Sequence, residues 1–498
     1  MGGAFSAFGR IGCACYCPPV PFLRAPLSGT DPSRACASFH NRPSPPNAHD
    51  YCTSLMKSLS CEKVWVFASV ILFAFGYGYI AHAFNLFPKP YIERALNQAT
   101  AISTAVRDLP PNSDPVAYNR SGARTPLPDR RQPGLTAVSS NWQDLDWKPA
   151  VRLLDVKGNV IHQWITSPIK IFPSLYGSFG KLRRFPPPFG FHLYPNGDLL
   201  VNAHDVGLAR LDACGTVRWR LFQPDTHHSG SPGRNGSFWL PGGRIEKISF
   251  PGLEGFKVDH DLIVRVSKRG EVTQKISLLD ILHKNDLQDR IFRTNSGGLS
   301  DGDLTHLNDV ERLPGSLASE YPGFEAGDLL LSLREIHSVL VLDPDTRNVK
   351  WIESDSFIRQ HDPDFIGNGW IGVFDNHWDG TLRGRALGGS RVVAVHPQLD
   401  STRVLFPTPL SDTLYSITAG RWQQLTNGNM LLTESRAGRV AEFTKSGRLV
   451  WEWIHAPHHS LVSEVYGAER VDATKAQVEK WNCSNDTNPA NSSSSEKE

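Results

Sequence analysis

The sequence predicts an all-β chain, a six-bladed β-propeller preceded by one N-terminal transmembrane helix. Three observations predict it: one long apolar run near the N-terminus, a hairpin motif that recurs from about residue 150 onward, and Asn-Gly or Gly-Asn turns between short strands.

Taken in order, residues 1–55 are rich in Pro and Cys without periodicity, and read as disordered or as lying upstream of a true start at Met56. "MKSLSCEK" reads as a normal n-region, which makes 56–63 a short cytoplasmic segment. Residues 64–84, "VWVFASVILFAFGYGYIAHAF", contain no charged residue. As a helix the run spans about 30 Å, one hydrocarbon core. It reads as a membrane anchor, with "AHA" at 81–83 keeping a cleaved signal peptide open as the alternative. Lys57 and Lys63 precede it, a positive-inside signal that puts the rest of the chain outside the cytoplasm. "PPNSDP" and "RTPLPDRRQPG" mark 85–149 as a linker or collar.

Repetition fills 150–458. "VRLLDVKGNVIHQW" recurs as "LARLDACGTVRWRL", "LIVRVSKRGEVTQKI", "VLVLDPDTRNVKWI" and "RVAEFTKSGRLVWEW", and a second hairpin precedes several of these, as in "HLYPNGDLLVNAHD" and "FIGNGWIGVFDN". Two hairpins make a four-stranded unit, and about six such units at a spacing of about 40–60 residues suit a propeller. Residues 459–498 form a polar tail, whose Asn482, Asn485 and Asn491 sequons, like those at Asn119 and Asn235, matter where a host glycosylates.

Composition narrows the function. With 52 Lys and Arg against 50 Asp and Glu, the net charge of +2 gives no reason to expect a nucleic-acid surface. Cys13, Cys15, Cys17, Cys36, Cys52 and Cys61 precede or open the apolar run, leaving Cys214 and Cys483 for the folded region, so no disulfide scaffold is expected. The three closest cysteines lack a zinc-site spacing.

In a propeller the innermost strands border one axis, so matching positions of distant repeats converge. Aligning the turns places His192, His228, His306, His361 and Arg421 at one end of successive inner strands, with His204, Arg334 and Arg436 after the next strand. Any one of these histidines, alone, reads as a hydrogen-bonding residue at a strand end. Several in one register argue for a shared pocket. Arginine forks suit an oxyanion, and a neutral imidazole can act as nucleophile or base, so the set suggests transfer of an anionic group. A metal is not expected, because Asp205, Asp309 and Asp362 fall on the opposite face of the presumed strands. No cofactor is called for.

The motifs "THHSGSPGRNGSFW", "HLNDV", "DLLLSLREIHSVLVLDPDTRNVKW", "QHDPDFIGNGWIGVFDN" and "RWQQLTNGNMLLTESRAGRVAEFTKSGRLVWEW" resemble the successive blades of bacterial arylsulfotransferases that do not use phosphoadenosine phosphosulfate. The resemblance covers roughly residues 150–455, and "HD" with the following "FDN" is its most specific part. It implies a six-bladed propeller that moves a sulfuryl group from a phenolic sulfate ester to a phenol through a sulfohistidine, in a ping-pong cycle. By resemblance His361 is the nucleophile, while His306, Asn308 and Arg334 bind the sulfuryl oxygens. The "HH" pair supplies one more group, with His228 favoured over His227. Arg421 and Arg436 match the last motif and read as substrate-binding or structural. The partners implied are a small aryl sulfate donor and a phenolic acceptor, and a homodimer is one arrangement the chain admits. "PGSLASEYPGFEAG", between Asn308 and Arg334, departs from the pattern, as does the short, irregular 85–145 segment. Two other classes stay open: a membrane-anchored propeller that only binds a protein partner, and a metal-dependent propeller hydrolase.

Overall fold

The computed structural model describes residues 61–83, 89, 111–175, 188–203, 206–222, 225–251, 253–294 and 302–483. The expectations for 1–55, Met56, His204, Asp205, most of 85–110 and the last residues of the tail lie outside these. The chain divides into two compact units, 1–75 and 76–498. The apolar run forms one helix, Cys61–Ala83, on which Trp65, Phe67, Leu72 and Phe73 are exposed. No helix among the described residues is long and apolar enough to cross a membrane.

The second unit contains six antiparallel blade sheets, four of four strands and two of five, numbered here in chain order. Blade 2 runs from Pro188–Leu193 through Leu199–Ala203 and Gly207–Leu211 to Val217–Leu221. Blades 4, 5 and 6 repeat this order from inner strands Leu307–Arg312, His361–Phe365 and Arg421–Gln424. In blade 3 the innermost strand is broken into Asp225–Thr226 and Ser231–Pro232.

Sequence and position agree within each blade. Middle strands are covered on both faces by neighbouring blades and read as continuous apolar runs, as in "LLLSL" and "SVLVL". Outer strands have one wet face and alternate, as in "VRWRL". The core is therefore a set of contacts between blades. Leu200 and Leu208 of blade 2 pack on Leu240 and Val264 of blade 3, Ile263 of blade 3 on Val310 and Leu340 of blade 4, and Val339 of blade 4 on Val373 of blade 5. Phe374 of blade 5 meets Leu432 of blade 6, and Val440 of blade 6 meets Val138 of blade 1. Val151 of blade 1 meets Val201 of blade 2, which closes the ring.

Blade 1 differs from the expected boundaries. Its innermost strand is Val465–Val471, from the presumed tail, and the next is Leu135–Trp142, from the presumed collar. Joining both ends of the chain in one sheet closes the ring with a ladder of backbone hydrogen bonds rather than side-chain packing alone. The collar also adds a fifth strand, Gly122–Arg124, to blade 6. There Arg120, Arg124 and Arg439 converge on Glu452. The two cysteines left beyond the apolar run are paired: Cys214 of blade 2 is disulfide-bonded to Cys483 after the last helix.

Candidate active site

Inner strands of blades 4, 5 and 6 begin at the same end of the ring, and second strands finish there. That end gathers His306 just before its strand, His361 and Arg421 at strand starts, and Arg334 and Asn376 just after second strands. Three inner strands open with a register shift that leaves one residue unpaired: Phe189, Asn308 and Asp362. Such bulges re-aim side chains. His228, His306, Arg359 and Asp362 also adopt left-handed backbone conformations, with φ of 53°, 51°, 58° and 50°. Each costs of order 1–3 kcal/mol for a non-glycine residue, and such strain concentrates at functional sites.

His361 is 6 % exposed. Its Nδ1 lies 2.6 Å from Asn376 Oδ1 and 3.2 Å from Arg359 O. Asn376 is oriented without ambiguity, because its Nδ2 donates to two carbonyls, Ser416 O at 2.8 Å and Ala419 O at 2.7 Å. Its Oδ1 must then accept, so His361 Nδ1 carries the proton and Nε2 carries the lone pair. Burial, then the Arg334 charge, lower the His361 pKa to about 3, against the Asn376 hydrogen bond, and the ring stays neutral.

The cations and second imidazoles are held just as specifically. Arg334 donates to Glu335 Oε1 from Nε at 2.9 Å and from Nη2 at 2.6 Å, which leaves Nη1 without a hydrogen bond among the described residues. Glu335 also accepts two bonds from Arg359, at 3.0 and 2.9 Å. His306 Nδ1 sits 2.6 Å from Asp303 Oδ2, and its Nε2 is buried without a partner. Burial works to raise the Asp303 pKa, but the His306 hydrogen bond and the charges of His306 and Arg334 outweigh it and hold that carboxyl below its ordinary range. The His306 ring stands 5.0 Å from that of His228, whose Nδ1 lies 2.9 Å from His227 Nδ1. His228 thus faces His306, while His227 Nε2 points toward Asp261, 3.8 Å away.

The other expected residues go elsewhere. Asn308 donates to Gln360 O at 2.9 Å, so it fixes the backbone beside His361, and its buried Oδ1 has no partner. Arg421 reaches Asp362 at 3.2 Å among the buried acids of the axis. Arg436 pairs with Asp114 and Glu464. His192, expected in the common register, sits by the hairpin turn at the other end of its strand, packed against Tyr194 and Phe238. The turn alignment reversed its end. Asp303, Glu335, Asn376 and Arg359 were missed, although "FDN" flagged Asn376. No group of His, Cys, Asp and Glu among the described residues could hold a metal ion.

Residues 191–456 match the sequence model of a family described as Arylsulfotransferase (ASST). No curated protein matches the chain. Among solved structures, a protein of unknown function from Bacteroides caccae is 12% identical, with a TM-score of 0.41 over 65% of this chain and 94% of that one. A streptogramin B lyase is 12% identical, with a TM-score of 0.35 over 70% and 87%.

Proposed function

Because the chain belongs to the arylsulfotransferase family, we propose that it transfers a sulfuryl group from an aryl sulfate to a phenol through a covalent intermediate on His361. The observation that carries this reading is the fixed tautomer: Asn376 occupies Nδ1 and leaves the Nε2 lone pair of a neutral, buried imidazole beside Arg334.

In the first half-reaction Nε2 attacks sulfur, the S–O bond to the aryl group breaks, and the phenolate leaves with the bonding pair. Sulfuryl transfer passes through a loose, planar group whose oxygens carry the charge, so oriented cations do most of the catalysis. The Nη1 of Arg334, left free among the described residues while Nε and Nη2 bond Glu335 and Nη2 also reaches Asp303 at 3.4 Å, fits that task. His306, polarised by Asp303, is suited to protonate the leaving phenolate from Nε2 and then to take the proton of the incoming phenol. The phenol oxygen attacks sulfur, the N–S bond breaks, and His361 returns neutral. Asn308 acts by positioning, through Gln360, and His228 lines the pocket with His306.

The reading also has this domain exported and tethered by residues 64–84. Its supports are the uncharged run and the Cys214–Cys483 bond, which persists in oxidising compartments. In the test, protein mixed with an aryl sulfate and no acceptor should release one equivalent of phenol in a burst and gain about 80 Da on the His361 peptide. His361→Ala should lose both. Near-normal turnover by that variant would end the proposal.

A further inference from the structure

Cations at the active end are matched by carboxylates: Arg334 and Arg359 by Glu335, Arg421 by Asp362. The opposite end of blade 3 breaks that pattern. There the turn Arg234–Gly236, between first and second strands, and the turn 267–271, between third and fourth, border a pocket of about 390 Å³ that is open to solvent. Arg234, Arg265, Lys268 and Arg269 line it together with Ser267 and Thr273, and Glu271 is the one acid in the lining. Arg312, at the end of the neighbouring inner strand of blade 4, adds a fifth cation. Its pKa is pushed below the ordinary arginine value by burial, then by the Arg234 and Arg265 charges. Among the described residues none of the five makes an ion pair.

An ordinary surface cluster would relax by swinging its charges apart in water. Two of these guanidiniums are restrained. Arg234 Nη2 donates to Ala326 O at 3.1 Å. Arg265 Nε donates to Ser237 Oγ at 3.2 Å, and its guanidinium lies over the Trp239 ring at 5.5 Å. Ser237 is itself tied to Arg234 O at 2.8 Å. Like charges gathered around a pocket, two of them held in place, raise its potential and favour an anion that accepts several hydrogen bonds. The volume leaves room for an oxyanion whether free or carried on a larger group, and the planar forks and hydroxyls suit tetrahedral oxygens.

We propose that this pocket is a second, non-catalytic binding site for a tetrahedral oxyanion, a phosphate or sulfate group that is either free in solution or carried on a lipid headgroup. It is independent of the sulfuryl-transfer reading. The test titrates the full chain with inorganic phosphate, and separately with sulfate, by calorimetry at low salt. A second arm measures flotation with phosphatidylcholine vesicles with and without phosphatidic acid. Arg234→Ala/Lys268→Ala is the test variant, and Lys445→Ala/Arg448→Ala, on a turn of blade 6 at the same end, is the control. The expected result is saturable binding, weakened about tenfold or more in the test variant and unchanged in the control, with turnover intact. The helix Cys61–Ala83 is present in every variant, so only differences in flotation count. A dependence on phosphatidic acid that the test variant loses identifies a headgroup, whereas phosphate binding without that dependence identifies a free anion. No saturable binding at millimolar anion together with no effect of vesicle charge, or equal weakening in the control, overturns the proposal.

Discussion

Asn376 decides which nitrogen of His361 keeps its lone pair. It touches no reacting atom, yet its two bonds to Ser416 and Ala419 fix its carbonyl toward Nδ1. Asn376→Ala should therefore lower kcat by about 10- to 100-fold with little change in KM, because the ring loses its tautomer and orientation while the pocket keeps its shape. Asn376→Asp is the more telling variant. The wild-type His361 pKa of about 3 places the acid limb of kcat/KM well below the ordinary histidine range. A carboxylate at Nδ1 favours the imidazolium, so the limb should move upward toward neutral pH. A pH–rate profile of both proteins checks this, and a wild-type limb near 6.5 would argue against His361 as the free-enzyme nucleophile.

At the scale of elements, the site depends on how closely backbones approach at the ends of strands. Gly190, in the bulged inner strand of blade 2, runs beside His228: a Cβ there would lie 2.0 Å from the His228 carbonyl oxygen. The same oxygen accepts from Asn202 Nδ2 at 3.0 Å. Gly190→Ala must displace the loop that carries His228, so turnover should fall at least about tenfold, with about 1–3 kcal/mol lost by overpacking. Kinetics and thermal melts of the variant measure both. Unchanged turnover would remove His228 from the site. Turn alignment misplaced His192 because that residue sits beside the hairpin turn, next to the last position of its strand, whereas His361 opens its strand; the bulges limit such alignment in a second way. A period-two pattern assumes an unbroken ladder, and one unpaired residue exchanges the faces on either side of it.

On the scale of the whole ring, the inner strands enclose Asp309, Glu311, Asp362, Asp364 and Glu469 around Arg421. Burial, and then neighbouring carboxylates, raise the Glu311 pKa to about 8, and those of Asp309 and Asp364 well above their usual value. Burial, set against Arg421, raises that of Glu469 to about 7. One guanidinium cannot balance five carboxylates, so the axis keeps protons that the unfolded chain releases near pH 4. The sign follows. A raised folded pKa gives stability that is fully present below the unfolded pKa and is lost as pH rises through the folded value. Between pH 7.5 and 8.5, above the ordinary histidine range, Tm should fall measurably, at about 1–2 °C per kcal/mol for a chain of this size. Glu311→Gln, which imitates the protonated acid, should flatten that fall, and melts at several pH values decide it.

The sequence by itself determined the repetition and the four-stranded unit, because both are written in local period and turn chemistry, and it put forward His361, His306, His228 and Arg334 as a set through turn alignment and motif. Only the tertiary structure decided how the ring closes, since Leu135–Trp142 and Val465–Val471 carry no mark of pairing with each other across most of the chain. It alone set Asn376 against His361 and Asp303 against His306, and placed Asn308 on the Gln360 carbonyl and Arg421 on Asp362. The reason is physical. A strand's period is fixed by its own backbone, whereas a side chain's partner is fixed by the residues that blade packing brings beside it from elsewhere in the chain.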